Sequence, residues 1–485
     1  GSNNVALGDT ALDSVEAGAE RNVAIGDKAG TAITTGNNNT AIGTEALKSN
    51  TTALNNTAIG YASLCTNSTG AGNTAVGQSA LCANTTASNN TAVGIESLDA
   101  NTTGASNTAL GKGSLSANTT ASNNTSVGFN SLTSNTTGPS NTAVGKDALL
   151  NNTVGDQNTA IGLSALCANT TGGNNVAVGL NALCKNTTAT QNVAVGVYSS
   201  RDTTTGAKNT SLGYSSFRVN TTGACNVAIG NSALDANTTA SENVAVGFES
   251  MLSNTTGSNN TAIGRCTLRT NTTAVRNTAV GAQALRDNTD GTLNTGIGVC
   301  ALMKNTTGAE NTALGKSALL CNTTGGSNVA IGQGTLVGLT TGTNNTVIGN
   351  NAGSDAVLNA TGSGSNNIAI GNNSSADANI KIDWTVTSDL RDKTNIEDVP
   401  YGLNFINQIT PIKYNFKTSR EDATPSGRKR FGFSAQEILA LEGDNPVLIN
   451  NNDVDNLKLT GAYLVPVLVN AIKELKARIE VLENE

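Results

Sequence analysis

The chain has 485 residues, of which 13% are charged, 3% are aromatic and 53 are glycine, with a formal net charge of −7. This is the composition of neither an ordinary globular domain nor a disordered chain, because 37% of the residues are hydrophobic. The acidic balance argues against a nucleic-acid partner, and the lack of a long apolar run argues against membrane insertion.

Residues 1–371 repeat the motif Asn-Thr/Val-Ala-Ile/Val/Leu-Gly, as in Asn141-Thr142-Ala143-Val144-Gly145. From Gly26 to Gly349, successive motif glycines are 17 residues apart without exception. Such regularity is typical of a solenoid, and 17 residues are too few for a helical hairpin. The sequence predicts a β-solenoid fibre over 1–371, with two short strands and two turns in each coil.

Alternation along each strand places neighbouring side chains on opposite faces. We expect Val144 and its equivalents to fill the interior, and the small Ala143 and its equivalents to allow close approach by another chain. That arrangement favours a rod of several chains. The alternative is that the alanine is small only because the coil is narrow, and the sequence leaves both interpretations open.

The repeat motif resembles the head repeats of YadA-like trimeric adhesins, which also read Asn-x-Ala-Ile-Gly. Those proteins have a shorter coil, so the likeness covers the motif and not the period. The resemblance implies a trimeric β-roll.

Eight cysteines lie in the repeat region. Cys65 and Cys82 are 17 residues apart, as are Cys167 and Cys184, so each pair should stack in adjacent coils near the separation that a disulfide tolerates. Free thiols filling an apolar position are the favoured alternative. Because the chain has no histidine and no Cys-x-x-Cys motif, no zinc site is expected, and nothing in the sequence calls for another metal or a cofactor.

Two further features of the repeats are a group of bulky or charged residues and a series of glycosylation sequons. Two adjacent coils contain bulky or charged residues that could form a contact patch or be isolated surface groups: Tyr198, Arg201, Tyr214, Phe217 and Arg218. Asn-x-Ser/Thr sequons such as Asn84-Thr85-Thr86 recur, but the turns need these residue types in any case, so they are a weak signal for glycosylation.

The period fails after Gly371, and residues 372–387 form a junction. Residues 380–386 alternate between apolar and polar, with Ile380, Ile382, Trp384 and Val386 on one face. The pattern predicts a strand that closes the end of the solenoid. It ends at Thr387.

A serine and a lysine follow the junction directly, Ser388 and Lys393. In a chain without histidine, a serine nucleophile needs another base, and a lysine serves when burial keeps it neutral. Taken alone, this spacing is more often a polar turn than a catalytic dyad.

The motif Ser-Asp-x-Arg-x-Lys-x-Asn-Ile at 388–396 resembles the opening of the peptidase S74 family, the intramolecular chaperone domains of phage tailspikes and tail fibres. Three later blocks continue the likeness through residues 388–485: Tyr401-Gly402-Leu403 to Pro411-Ile412-Lys413-Tyr414, Gly432-Phe433-Ser434-Ala435-Gln436-Glu437, and Tyr463-Leu464-Val465-Pro466 with its following helix. The resemblance implies a trimer whose tail assists folding and then cuts its own chain.

Carried over by resemblance, Ser388 is the nucleophile, Lys393 the general base and Thr387-Ser388 the scissile bond. Asp389, Arg391 and Asn395 are supporting residues that either hold the turn or stabilise the oxyanion. The domain would act as an autocatalytic serine endopeptidase with a single turnover.

The tail, 388–485, predicts a small α+β domain. Its elements are helices at 401–409, 435–441 and 463–484, and strands near 411–417, 429–434 and 446–450. The last helix has apolar residues at alternating steps of three and four, a heptad seam that predicts a trimeric coiled coil: Val465, Leu468, Ile472, Leu475, Ile479 and Leu482. The alternative is a helix that packs only on its own domain.

These features predict a homotrimeric viral or phage tail fibre, extracellular on the virion surface, that attaches to a host cell-surface receptor, with a glycan as one candidate. Three alternatives stay open: a bacterial trimeric surface adhesin, a tailspike enzyme whose catalytic module lies elsewhere, and a structural filament without a receptor. An ice-binding solenoid fits poorly, because the repeats lack a flat Thr-x-Thr face.

Overall fold

The computed structural model describes residues 3–353, 362–372, 375, 388–417, 420, 422–444, 446–451, 454 and 457–484. The chain divides into two compact units, Gly1–Asn328 and Val329–Glu485. The predicted closing strand at 380–386, with Trp384, lies outside the described residues, as does Thr387.

The first unit is a parallel β-solenoid in which each coil contributes one three-residue strand. The strands are β1 (Val5–Leu7), β2 (Val23–Ile25), β3 (Thr40–Ile42), β4 (Thr57–Ile59), β5 (Thr74–Val76), β6 (Thr91–Val93), β7 (Thr108–Leu110), β8 (Thr125–Val127), β9 (Thr142–Val144), β10 (Thr159–Ile161), β11 (Val176–Val178), β12 (Val193–Val195), β13 (Thr210–Leu212), β14 (Val227–Ile229), β15 (Val244–Val246), β16 (Thr261–Ile263), β17 (Thr278–Val280), β18 (Thr295–Ile297) and β19 (Thr312–Leu314). Adjacent strands pair in register, so that Ala143 of β9 lies beside Ala160 of β10. The predicted β-solenoid is thereby confirmed.

The prediction of two strands per coil is wrong. After the strand and its glycine, the chain enters turns in which Asp147 and Leu149 adopt the left-handed region, with φ of 57° and 50°. That conformation interrupts an extended strand. The turns still bond to the next coil, since the Leu149 N–H donates to the Ala165 carbonyl at 3.0 Å.

The coil interior has room for little more than a methyl group beside the strand. The middle strand residue is usually alanine, and Ala143 is fully buried. Where β18 has glycine instead, a Cβ built on Gly296 would lie 3.4 Å from Leu285 Cγ, in ordinary contact across the interior. The expectation that Val144 fills the interior is therefore wrong, and the narrow coil explains the alanine.

The third residue of each strand points outward. It is partly exposed at Val144, and its exposure reaches 40% at Ile161 and 47% at Leu212. These residues, from Leu7 of β1 to Leu314 of β19, form what we call the outer apolar column. A single chain therefore leaves a row of aliphatic side chains in contact with water.

A leucine column fills the other side of the interior. In most coils of the first unit the fourth residue after the motif glycine is a fully buried leucine such as Leu149. The left-handed backbone at that position costs about 1–2 kcal/mol, and burying the side chain returns about 1.5–3 kcal/mol. Phe217 takes this position in one coil and is fully buried, so its assignment to a surface patch is wrong; the preceding coil has the smaller Ser200 there.

Two buried asparagine ladders satisfy the polar backbone of the turns. In one of them Asn118 Nδ2 donates to Asn101 Oδ1 at 2.8 Å and to the Ala121 carbonyl at 3.0 Å. Asn84, the sequon residue, belongs to the same ladder, is fully buried and donates to Asn67 Oδ1 at 2.7 Å. Its amide is therefore inaccessible to a glycosyltransferase in the folded coil.

The second unit contains three more solenoid strands and the tail. The strands are β20 (Val329–Ile331), β21 (Thr346–Ile348) and β22 (Ile368–Ile370). The tail has the helices α1 (Leu403–Ile406), α2 (Ala435–Glu442) and α3 (Leu464–Glu483), and the strands β23 (Ile412–Lys417), β24 (Pro425–Gly432), β25 (Ile449–Asn450) and β26 (Lys458–Leu459). Helix α3 follows a 3-10 turn at Gly461–Tyr463. The predicted small α+β domain with a C-terminal helix is confirmed; among its described elements, the sequence did not predict β26 or the 3-10 turns.

The tail has a compact core of its own. Phe405, Ile438 and Val467 bring α1, α2 and α3 together in it. Strand β23 pairs with β24 in antiparallel fashion, and within β23 the rings of Tyr414 and Phe416 meet edge to face with centroids 5.3 Å apart. Among the described residues, no helix combines the length and apolar character required to cross a bilayer.

Replacing Asn118 by alanine tests the ladder. The change removes both N–H donors of the Asn118 side chain. It also removes Asn118 Oδ1, which accepts a hydrogen bond from Asn135 Nδ2 at 3.1 Å. We expect a loss of about 2–4 kcal/mol in local stability, because each buried polar group left unpaired costs about 1–3 kcal/mol. Hydrogen exchange of the surrounding coils measures it. The exposed Thr120→Ala in the same coil is the matched control, and equal exchange in both variants would contradict the role of the ladder.

Candidate active site

A short turn carries the predicted nucleophile and base. A 3-10 turn covers Leu390–Asp392, and Asp389 caps it by accepting the Arg391 backbone N–H at 2.9 Å. The backbone N–H of Lys393 donates to the carbonyl of Leu390, the first residue of the turn, at 3.2 Å. This hydrogen bond closes the turn. The chain therefore reverses direction and brings the lysine side chain back toward the serine.

Lys393 Nζ lies 2.8 Å from Ser388 Oγ. A protonated lysine donates a hydrogen bond over this distance, and a neutral one can accept the hydroxyl proton over it. Both side chains are exposed, whereas a lysine acts as a base only when it is removed from water. The described part of the chain thus supplies the distance that a dyad needs and leaves the lysine exposed to water.

Asp389 and Arg391 pair with each other beside the dyad. Arg391 Nε donates to both carboxylate oxygens of Asp389 at 3.1 Å. The guanidinium holds the pKa of the Asp389 carboxyl below its usual range. Asn395 lies three residues beyond the turn, with a left-handed φ of 51°. The contacts between Asp389 and Arg391 are those that a turn-holding role would need, and the roles of the three supporting residues stay predictions.

Helix α3 fixes the segment that follows the turn. Asn470 Nδ2 donates to the Val399 and Tyr401 carbonyls at 3.2 and 3.0 Å. Glu474 Oε2 accepts the Leu403 N–H at 2.8 Å, at the start of α1. A carboxylate at a helix N-terminus is favourable because it meets free N–H groups there. The C-terminal helix is thereby tied to the chain close to the candidate site.

A buried carboxylate organises another part of the tail. Glu442, at the end of α2, accepts backbone N–H groups from Val447, Leu448 and Ile449 at 2.7–3.0 Å. Sequence reasoning missed Glu442, Asn470 and Glu474. No pattern in the sequence separates them from the other polar residues of their helices, because their partners are distant backbone groups.

Helix α3 uses two faces. Leu464, Val467 and Ala471 are buried against the tail core, as the packing alternative predicted. The six residues of the predicted heptad seam are all between 44% and 70% exposed. The C-terminal part of this seam, at Ile472, Leu475 and Ile479, is 46–65% exposed. The seam residues therefore lie exposed on a face of α3 adjacent to the one that is buried against the tail core.

The bulky residues near the middle of the solenoid form a small network. The rings of Tyr198 and Tyr214 meet edge to face with centroids 6.2 Å apart, and Arg201 lies over Tyr198 at 5.9 Å. Arg218 pairs with Asp235 of the next coil at 2.8 Å. These contacts lie within the solenoid itself, and no ligand chemistry emerges from them.

Residues 388–445 match the family model of peptidase S74, described as the chaperone of endosialidase. The match begins at Ser388 and confirms the family that the tail motifs predicted. No curated protein and no solved structure shows significant similarity to the chain.

The acidic side of the turn gives a pH prediction. Since the pKa of Asp389 is depressed by Arg391, their contact is present above the ordinary carboxyl range and is lost as the pH falls through the lowered pKa. In Arg391→Ala the pKa of Asp389 should rise toward its ordinary value, which an NMR titration measures. Asp422, whose pKa is lowered by Thr424, is the control and should not move. An unchanged Asp389 would show that the pairing is not formed in solution.

Proposed function

We propose that this chain is a homotrimeric tail-fibre or tailspike protein of a virus or phage, whose tail directs trimerisation and folding and then cuts the Thr387–Ser388 bond. A β-solenoid followed by an S74-type chaperone domain fits such a protein. The observation that carries the self-cleavage is the 2.8 Å contact of Lys393 Nζ with Ser388 Oγ at the first residue of the family match.

The proposed reaction uses the serine on its own preceding peptide bond. Neutral Lys393 takes the proton of the Ser388 hydroxyl, and Oγ attacks the Thr387 carbonyl. The C–N bond breaks as the proton passes to the departing Ser388 nitrogen. The result is an ester between Thr387 and Ser388 Oγ. Water then hydrolyses the ester, leaving a Thr387 carboxylate and a tail that begins with the free amine of Ser388.

Assembly would supply the dry environment that this chemistry needs. In a single chain both side chains of the dyad are exposed to water, whereas a lysine that acts as a base is buried. A surface that covers the turn in the trimer would favour the neutral amine. Cleavage would then follow correct assembly, and removal of the chaperone would leave a fibre that cannot unfold by its assembly route, a form of kinetic stability.

Two exposed apolar surfaces support a second and third copy as partners. One is the seam on α3, whose heptad spacing suits a coiled coil. The other is the outer apolar column, with Ile59, Leu110 and Ile161 all exposed by 38% or more. Long aliphatic rows on a single chain mark protein contacts, and identical repeats suit identical partners.

For the solenoid we propose attachment to a receptor on the host cell surface, with the protein extracellular on the virion. Its outward turns are largely polar, such as the exposed Thr103 and Thr120. They leave a regular surface that a receptor could contact. A bacterial adhesin or a filament without a receptor would share the fold.

Intact-mass analysis of the wild-type chain tests the cleavage. We expect two fragments that meet between Thr387 and Ser388, and one uncut chain for Ser388→Ala. Lys393→Met should slow cleavage by about 10²–10⁴-fold, the usual contribution of a general base. Lys429→Met, which removes an exposed lysine elsewhere in the tail, is the matched control and should cleave normally. An uncut wild-type trimer would overturn the proposal and make the tail a permanent trimerisation cap.

The seam is tested by Ile472→Lys combined with Ile479→Lys. Charges facing one another in a coiled-coil core should prevent association, so light scattering should find mainly monomer, and cleavage should fall with it. Ala477→Lys places a lysine on the outer face of α3, away from the seam, and is the control for adding a charge to this helix. A trimer that persists in the double variant would contradict the role of this helix, whatever the outcome of the Ser388 experiment.

A further inference from the structure

Four cysteines lie in a single column on the surface of the solenoid. The fifth residue after each motif glycine stacks on its equivalent in the next coil, and we call this row the fifth-position column. Cys65 and Cys82 are successive members, as are Cys167 and Cys184. Their Sγ atoms are 2.7 Å apart in the first pair and 2.9 Å apart in the second.

The coil ladder itself creates this proximity. The Thr66 N–H donates to the Cys82 carbonyl at 3.1 Å, and the Ala168 N–H donates to the Cys184 carbonyl at 3.0 Å. Elsewhere in the same column Arg218 Nε meets Asp235 Oδ1 at 2.8 Å. Neighbours in this column are therefore held side by side whatever their chemistry, and the cysteines meet as a consequence of the repeat.

The remaining movement needed for a covalent bond is small. A disulfide joins sulfurs about 2.05 Å apart between residues whose Cα atoms are about 4.4–6.8 Å apart. Adjacent strands in a sheet are about 4.8 Å apart, within that range. A shift of less than about 1 Å between the sulfurs closes either pair, and the half-buried thiols remain open to a small reagent.

We propose that Cys65–Cys82 and Cys167–Cys184 are two disulfide sites that staple adjacent coils, closed by a low-molecular-weight disulfide such as oxidised glutathione. The thiolate of one cysteine attacks the oxidant, forms a mixed disulfide and releases one reagent thiolate. The second protein thiol loses its proton to solvent and attacks the protein sulfur of the mixed disulfide, releasing the other. Two protein thiols are oxidised by two electrons, and the oxidant is reduced to two thiols.

The first step has a defined attacker in each pair. The Cys65 side chain, by hydrogen bonding, lowers the pKa of Cys82 to about 7. The equivalent contact from Cys167 lowers the pKa of Cys184 to about 7. Thiolates are the reactive form of cysteine. Cys82 and Cys184 are therefore the sulfurs that attack first, and their partners resolve the mixed disulfide.

The surrounding charges distinguish the pairs. Lys185 and Arg201 favour the thiolate of Cys184 and Asp202 opposes it, whereas Asp99 and Glu45 disfavour that of Cys82. Each staple closes a loop of one coil, so it opposes peeling of the coils from one another. This role depends on the solenoid alone and not on the proposed self-cleavage.

The experiment treats the folded full chain with oxidised glutathione, then alkylates all remaining thiols in denaturant without reductant. Chymotrypsin cuts after Leu81 and Leu183 and so separates the members of each pair before mass spectrometry. We expect four of the eight cysteines to escape alkylation and to appear as two intrachain cross-links, Cys65 with Cys82 and Cys167 with Cys184.

Internal and mutant controls make the outcome decisive. Cys266 and Cys300 lie two coils apart, which is too far for a disulfide, so both should be alkylated. Cys65→Ser, a residue type that the column already has at Ser116, should leave Cys82 trapped as the glutathione mixed disulfide. Full alkylation of Cys82 and Cys184 in the folded, oxidised protein would overturn the proposal. Cross-links between protomers in place of intrachain ones would also overturn it.

Discussion

The narrow interior of the coil is the constraint on which the rest of this protein depends. Across it, a methyl group at the middle of the strand already touches the leucine column, as the 3.4 Å separation between a Cβ on Gly296 and Leu285 Cγ indicates. A larger residue fits at the middle of the strand only where the residue facing it across the interior is smaller. Val347 takes the middle position of β21 in a coil whose leucine-column residue is Gly353, and a Cβ there would lie 3.3 Å from Val347 Cγ1. The facing positions of a coil therefore fill about the same interior volume together, although their residue types vary.

From that constraint follows the exposure of aliphatic side chains. Because the interior takes alanine, the branched residues of each strand must point outward, and one chain alone leaves them in water. Inside the solenoid, the asparagine ladders bond the polar groups of the turns and the leucine column fills the apolar space. Its outer surface, in contrast, has an apolar row that only another surface can cover. The same holds for α3, where one face anchors the tail and the other is free. Both halves of the chain thus expose apolar side chains that the proposed trimer would cover.

Near-identical coils carry little information about register. Slipping by one coil would preserve most hydrogen bonds and most contacts. The exceptions in the interior, such as Phe217 above Ser200 or the linked hydroxyls of Ser114, Ser126 and Ser131, penalise a shift because a bulky or polar residue would then meet the wrong neighbour. A tail that gathers three chains before the coils form would provide the same protection between protomers. The cysteine pairs would then fix two of the coil contacts covalently.

The sequence by itself determined the period, the solenoid, the small tail domain with its long helix, and the family of that tail, because each is written in local spacing or in a contiguous motif. It also placed the serine and the lysine five residues apart. Only the tertiary structure decided which side of the strand faces inward, since alternation gives two faces and the width of the coil chooses between them. Likewise, only the fold revealed that Asn84 is buried, that Phe217 is interior, and that Glu442, Asn470 and Glu474 bind distant backbone groups. The burial and the binding partners of these residues depend on side chains across the coil interior or on backbone groups of other elements. A local stretch of sequence does not show which residues those are.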